Sequence, residues 1–227
     1  MKKSAFLFVC VILLMSALFA QNIQLNYDLR RECFTTTVEI FKPDKLGSLF
    51  TFIDFNYENK GDVRNASMGY WEIARYFTIP VVPKLAATIQ YNDGLTNQQF
   101  SINPIWLGGV QYALGGKKFS LPVDFLIRKE FNTKGLTFQL TTVWFYNFKK
   151  AEISGFIDVW NTDLEGFSSK KIAFLSEPQF WFKITNNILI GGEIEISRNF
   201  NGAYTKKDTF EADKLFILPT LGVKWYL

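Results

Sequence analysis

The 227-residue chain contains no histidine and only two cysteines, Cys10 and Cys33. Without an imidazole, Ser–His and Asp–His hydrolytic mechanisms are closed to it, and so is any histidine-ligated metal centre. Two cysteines make no zinc cluster, and no cofactor is expected. Basic residues are not gathered into blocks: the formal net charge is +4, and Lys and Arg are scattered through turn-like segments. Nothing therefore points to nucleic acid, which needs basic side chains on one surface. Beyond the first 20 residues there is no apolar run that could cross a bilayer as a helix. The longest charge-free stretch there, Gly94 to Gly116, carries Asn97, Gln98, Gln99, Asn103, Pro104 and Gln111. No Pro/Ser-rich linker or shift in composition divides the chain, so a single large domain is expected.

At the amino terminus, Lys2 and Lys3 precede an uncharged apolar run from Ala5 to Phe19 that ends at Ala20. The run is shorter than the roughly 20 residues that span a bilayer, and polar sequence follows at once, so residues 1–20 read as a signal peptide. Leu18 departs from the small residue such a cleavage site prefers. Cys10 lacks the small residues that precede a lipoprotein cysteine, so no lipid anchor is expected. Removal of the signal would leave Cys33 as the one cysteine, with no intrachain disulfide possible.

Residues 21–227 carry a period of two. Leu49, Thr51, Ile53, Phe55 and Tyr57 alternate with Phe50, Phe52, Asp54, Asn56 and Glu58. Near the carboxy terminus Leu221, Val223, Trp225 and Leu227 alternate with Thr220, Gly222, Lys224 and Tyr226. Twelve strands are predicted, near residues 22–30, 33–42, 49–58, 67–78, 84–92, 103–114, 119–130, 135–148, 151–161, 171–184, 188–197 and 215–227. Short links at 42–47, 80–83, 115–118, 149–150 and 185–187 alternate with longer polar ones at 59–66, 93–101, 162–170 and 200–214. Two further links, at 31–32 and 132–134, break the rule by being short. This is the pattern of an all-β, transmembrane, antiparallel up-and-down β-barrel with both termini on the periplasmic side. Trp, Tyr and Phe make up 17% of the chain. Tyr57, Tyr76, Phe77, Tyr91, Phe131, Tyr146, Phe148 and Tyr226 lie near strand ends and suit interfacial girdles.

Some residues strain this pattern. Pro178 falls inside a strand and predicts a bulge or a shortened strand. Arg75 and Arg198 have lipid-facing parity, which requires them to sit near strand ends. Gly115-Gly116-Lys117-Lys118 superficially resembles a phosphate loop but lacks its first glycine and final Ser/Thr, and reads as a turn.

The face opposite the apolar stripes collects the candidate site. It carries the acids Glu39, Asp54, Glu72, Asp124, Asp158, Glu177, Glu193 and Glu195. With them come the bases Lys84, Arg128, Lys183 and Lys224 and the aromatics Phe52, Tyr70, Phe145, Phe156, Trp160 and Trp181. A soluble sandwich would have to bury these carboxylates or expose a large apolar surface. A lumen wall of fixed charges can instead select solutes by field and hydrogen bonding, with flat rings to stack a base or sugar. Paired acids such as Glu193 and Glu195 could serve acid–base chemistry, but same-face positions in a strand are equally a polar wall.

The segments Thr35–Ser48, Ile53-Asp-Phe-Asn-Tyr57 and Gly69-Tyr-Trp-Glu-Ile-Ala-Arg75 resemble an uncharacterised outer-membrane family of Bacteroidetes, itself similar to the Tsx-like nucleoside-specific channel-forming porins. The distant similarity to the porins rests on Glu39, on Asp54 in an aromatic-rich strand, and on Glu72 to Arg75. It implies a twelve-stranded barrel, a Gram-negative outer membrane as the location, and nucleosides as permeants. Three readings stay open: a passive channel for small polar solutes; a plugged barrel with a structural or docking role, the 200–214 loop being its contact; and a secreted β-barrel that binds a hydrophobic ligand. Outer-membrane lipid is the expected partner in the first two.

Overall fold

The computed structural model describes residues 20–58, 65–97, 102–116, 119–164, 166–200 and 210–227. The expected signal peptide thus lies, up to residue 19, outside the described residues. The strands are β1 (Ala20–Asp28), β2 (Cys33–Asp44), β3 (Gly47–Tyr57), β4 (Met68–Thr78), β5 (Leu85–Thr96), β6 (Ile105–Gly115) and β7 (Phe119–Glu130). They continue as β8 (Thr137–Asn147), β9 (Ala151–Thr162), β10 (Lys171–Ser176), β11 (Gln179–Lys183), β12 (Ile188–Arg198) and β13 (Leu215–Tyr226). Neighbours run antiparallel, and β1 pairs with β13 through Asn22↔Tyr226 to Asp28↔Thr220, so the sheet closes on itself. No helix among the described residues is long and apolar enough to cross a membrane.

β10 and β11 are halves of one strand, and the barrel is therefore twelve-stranded. Both halves pair with β9, Ser176 opposite Ile157 and Gln179 opposite Ser154. Both also pair with β12, Ser176 opposite Ile196 and Gln179 opposite Glu193. The register is the same on each side of Pro178, so no bulge forms, and the expected shortening takes the form of a break at Glu177 and Pro178 that leaves two short halves of six and five residues. Proline removes only its own donor. The ladder otherwise continues, with Glu177 N–H donating to the Phe156 carbonyl (3.2 Å) and Ile194 N–H to that of Pro178 (3.0 Å). Gly155 makes this possible: a Cβ there would meet the Glu177 carbonyl oxygen at 2.6 Å and Pro178 Cα at 2.9 Å.

The period of two becomes two chemically distinct surfaces. On β1, Asn22, Gln24, Asn26 and Asp28 are buried, whereas Leu25 between them is 47% exposed. On β13, Leu221, Val223, Trp225 and Leu227 point out and Lys224 points in, as predicted. Outward positions on the other strands continue the belt, including Ile53, Ile73, Ile89, Phe125, Ile127, Phe138 and Ile190. A soluble monomer rarely shows a contiguous apolar patch beyond a few hundred Å², so this exterior is built for lipid. Most of the strands are 11 or 12 residues long, enough to span the hydrocarbon when tilted.

The charges on the outer face sit at its edges. Arg75 makes a two-pronged ion pair with Asp44 (2.6 and 3.0 Å) beside the β2–β3 turn. Arg198 closes β12 and meets Asp213 at 3.0 Å. The short turns share one end with the termini, and the longer connections share the other. β5 extends through Thr96, so the long link expected from residue 93 starts later, because Asp93 to Thr96 pair with Trp71 to Met68. Lys84 was expected on the inner wall. It instead sits exposed in the β4–β5 turn with φ +66°, its carbonyl accepting from Ala113 N–H (2.8 Å).

Candidate functional site

Strand register carries the predicted site residues onto the inner face. Glu39, Phe52 and Glu72 form one cross-strand row, and Asp54 and Tyr70 lie in the next. Asp124 is opposite Thr141, which is opposite Asp158. Phe156 and Trp160 alternate with Asp158 along β9, and Arg128 shares the inward parity of Asp124 on β7. Trp181, Glu193 and Glu195 line β11 and β12, with Glu177 at the break between β10 and β11.

On the β4–β9 wall the carboxylates are held by side-chain donors of the barrel. Asp124, 2% exposed, accepts from the Tyr76 hydroxyl (2.8 Å), Gln90 Nε2 (2.9 Å) and Gln111 Nε2 (2.8 Å). Tyr76 is therefore not a girdle residue as expected. It faces inward because Ser48 and Thr88, its cross-strand partners, share the inner parity. Glu72 Oε1 accepts from the Tyr70 hydroxyl (2.6 Å) and Asn92 Nδ2 (2.8 Å). The Thr141 hydroxyl donates to Asp158. Arg128 donates to Glu130 (2.7 Å) and lies 5.7 Å from the centre of the Trp160 ring. Phe50, Phe52 and Tyr70 form an aromatic row with successive ring centres 6.1 Å apart.

The wall from β11 through β13 to β3 is built differently. Glu39 accepts from Asn22 (3.2 Å), whose own amide oxygen accepts from Gln24 (3.0 Å). The Thr37 hydroxyl donates to Asp54. Glu193 accepts from Gln179 Nε2 (3.1 Å), and the Trp181 indole N–H donates to Gln179 Oε1 (3.0 Å). Lys224 lies 4.6 Å from the Trp181 ring centre. At the loop end, Asp28 orders the β1–β2 turn by accepting from the backbone N–H groups of Arg30 and Arg31, both at 2.7 Å. That turn aims Arg31 at Asp28 (3.1 Å) and Glu195 (2.8 Å). At the opposite end Tyr226 is lumenal rather than interfacial, donating to Glu152 (2.7 Å).

Sequence reasoning missed the neutral members of this lumen. Asn22, Gln24, Asn26, Gln90, Asn92, Gln111, Gln139 and Gln179 share the inner parity but carry no charge or ring to draw notice. Glu152 and Glu130 were also missed, although both follow the parity of predicted residues on their own strands, Asp158 and Arg128. Toward the terminal end the wall is more open, since Val143 and Phe145 are inward by register yet 43% and 38% exposed. Most of the 200–214 connection, residues 201–209, lies outside the described residues. At its base Asp213 meets Lys171 (2.8 Å) and Arg198 (3.0 Å), and these hydrogen-bonded cations, with Asn199, lower its carboxyl pKa to about 2. Among the described residues no group of three or more potential ligands is placed to hold a metal ion.

Comparison with known proteins places this architecture. A solved NanC porin matches with a TM-score of 0.58 at 8% identity, covering 92% of this chain and all of that one. A KdgM porin matches with a TM-score of 0.51 at 9% identity over 91% and 99% of the two chains. A second KdgM porin structure, in complex with disordered oligogalacturonate, has a TM-score of 0.50 at 10% identity. At such identities the shared property is the barrel itself. No curated protein matches the sequence. The model of the family described as domain of unknown function DUF5020 spans residues 20–227, and the chain belongs to that family.

Proposed function

We propose that the protein is an outer-membrane channel of a Gram-negative bacterium, delivered by a signal peptide at residues 1–20, for small polar solutes that are neutral or positively charged. The observation that carries this reading is the contrast between an apolar exterior and a lumen in which carboxylates outnumber cations. Glu39, Asp54, Glu72, Asp124, Asp158, Glu177, Glu193 and Glu195 face inward with Arg128, Lys183 and Lys224, joined by Arg31 from the turn. A field of that sign favours cations and repels anions. The oligogalacturonate found with a KdgM porin is thus a poor candidate permeant here, despite the common fold. Nucleosides, which the sequence resemblance suggests, are neutral. Their base could stack on the Phe52–Tyr70 row while Glu72 and Asp54 accept ribose hydroxyls.

Liposome swelling tests this directly. Proteoliposomes should swell in isotonic uridine and in small neutral sugars, and swell far less in trigalacturonate. Swelling in trigalacturonate alone would overturn the solute class. No swelling in any of them would favour a plugged barrel with a structural role. That second reading draws on the dense packing of one wall, where Gln24, Asn26, Trp181 and Leu218 are at most 1% exposed.

A further inference from the structure

We propose that the barrel end carrying the short turns is a docking rim for anionic phospholipid headgroups. The inference rests on the membrane reading above and goes beyond it, since it names a lipid class and the side chains that hold it. The two ends of the barrel carry charge differently. At the turn end, Lys45 lies in the β2–β3 turn, Lys84 in the β4–β5 turn, and Lys149 and Lys150 together in the β8–β9 turn. All four are exposed, and none meets a carboxylate among the described residues. The acids described at that end are already engaged. Asp44 grips Arg75, and Glu152, 4% exposed inside the barrel, is met by Tyr226 and Lys183.

At the loop end, by contrast, cations and acids are matched. Arg31 meets Asp28 and Glu195, Arg128 meets Glu130, Lys170 meets Asp163, and Lys171 and Arg198 share Asp213. Arg30, Lys129 and Lys134 are offset there by Glu32, Glu58 and Asp93. The surplus of positive charge therefore collects at one rim. A second observation says what covers it. Phe77, Phe119, Phe148 and Phe182 are exposed on the outer face at the turn ends of their strands, and Leu46, Val81 and Ile184 carry apolar surface into the turns themselves. Phe148 N–H donates to the Ala151 carbonyl (2.8 Å), closing a hairpin whose tip is Lys149 and Lys150, directly after that ring. A soluble acidic partner would match the lysines but not this apolar collar. Lipid matches both, because the lysines then stand where hydrocarbon gives way to headgroups.

The headgroup chemistry follows from the donors. An ammonium offers three hydrogen bonds as a compact charge, and its stem can lie along apolar surface while the head reaches a phosphate. The lysines belong to separate turns, so they meet several headgroups around the rim rather than gripping one molecule. A zwitterionic lipid brings its own cation beside its phosphate and competes poorly. A lipid of net negative charge, such as phosphatidylglycerol, is favoured by each lysine within about a Debye length of the surface.

Electron spin resonance of the barrel in phosphatidylcholine vesicles, with a trace of spin-labelled lipid, measures which headgroup stays at the protein surface. Spin-labelled phosphatidylglycerol should be held about twofold or more over spin-labelled phosphatidylcholine, and the preference should shrink at about 0.5 M salt. Lys45→Gln/Lys84→Gln/Lys149→Gln/Lys150→Gln should lose most of it, whereas Lys134→Gln/Lys170→Gln/Lys214→Gln, at the loop end, should keep it. Equal retention of both lipids by the parent, or the same loss in the loop-end variant, would overturn the rim. If the fourfold variant does not give the heat-modifiable band of a folded barrel, Lys149→Gln/Lys150→Gln serves in its place, with a reduced preference expected and an unchanged one counting against the rim. Binding of polyglutamate by the detergent-folded parent, with no lipid preference in vesicles, would assign the lysines to a soluble acidic partner and overturn the proposal. Planar-bilayer recording separates the rim from the channel: conductance without lipid preference keeps the channel and overturns the rim, and lipid preference without conductance does the reverse.

Discussion

Single side chains of this protein take their meaning from their parity. Asp124 illustrates it: three donors converge on a 2% exposed carboxylate, so the group organises β4, β5, β6 and β7 together. Removing it takes the acceptor from Tyr76 and Gln111, while Gln90 keeps only its longer contacts to the Tyr76 and Thr88 hydroxyls, both at 3.3 Å. Asp124→Ala is expected to cost roughly 2–4 kcal/mol, since each stranded buried donor costs about 1–3 and lumen water recovers part of the loss. Asp124→Asn, which keeps two acceptor lone pairs, should cost less. Urea unfolding in lipid vesicles, followed by tryptophan fluorescence, measures both; equal losses would mean that the donors do not act through the carboxylate. Isolated charges on the outer face obey the same logic. Arg75 is tolerated there because Asp44 grips it at the rim.

Among the elements, the β10–β11 strand is where sequence rules and structure disagree most usefully. A proline in a central strand ordinarily signals a bulge or an edge. Here the register is unbroken because Gly155 on β9 leaves room, with the Trp144 ring 2.5 Å from the place a Cβ would occupy and Pro178 Cα at 2.9 Å. Gly155→Ala should therefore force β9 away from Pro178 and lower the temperature at which the barrel loses its heat-modifiable gel mobility. Gly116→Ala, where a Cβ meets nothing within 4 Å, should leave it unchanged. A Gly155→Ala barrel as heat-resistant as the parent would show that the close approach is not needed. Residue 155 could not be identified as special from sequence, since its partner Pro178 is distant along the chain and only pairing brings them together.

At the scale of the whole molecule, closure turns an alternating sequence into an apolar exterior and an acidic interior. In a KCl gradient the open channel should show a reversal potential of the sign for cation preference, reduced at high ionic strength as the carboxylates are screened. Anion preference would contradict the reading of the lumen. By itself the sequence determined the strand number, the closing face of Leu221, Val223, Trp225 and Leu227, and the inward side of Asp54, Glu72 and Glu193, because a strand's faces follow from a period of two. Only the tertiary structure decided which of those acids share donors, that Tyr76 reaches Asp124, and that Arg31 meets Glu195. Periodicity assigns a residue to a face. Its height and its neighbours across the lumen depend on strand register and on closure of the barrel, which are properties of pairs of distant segments.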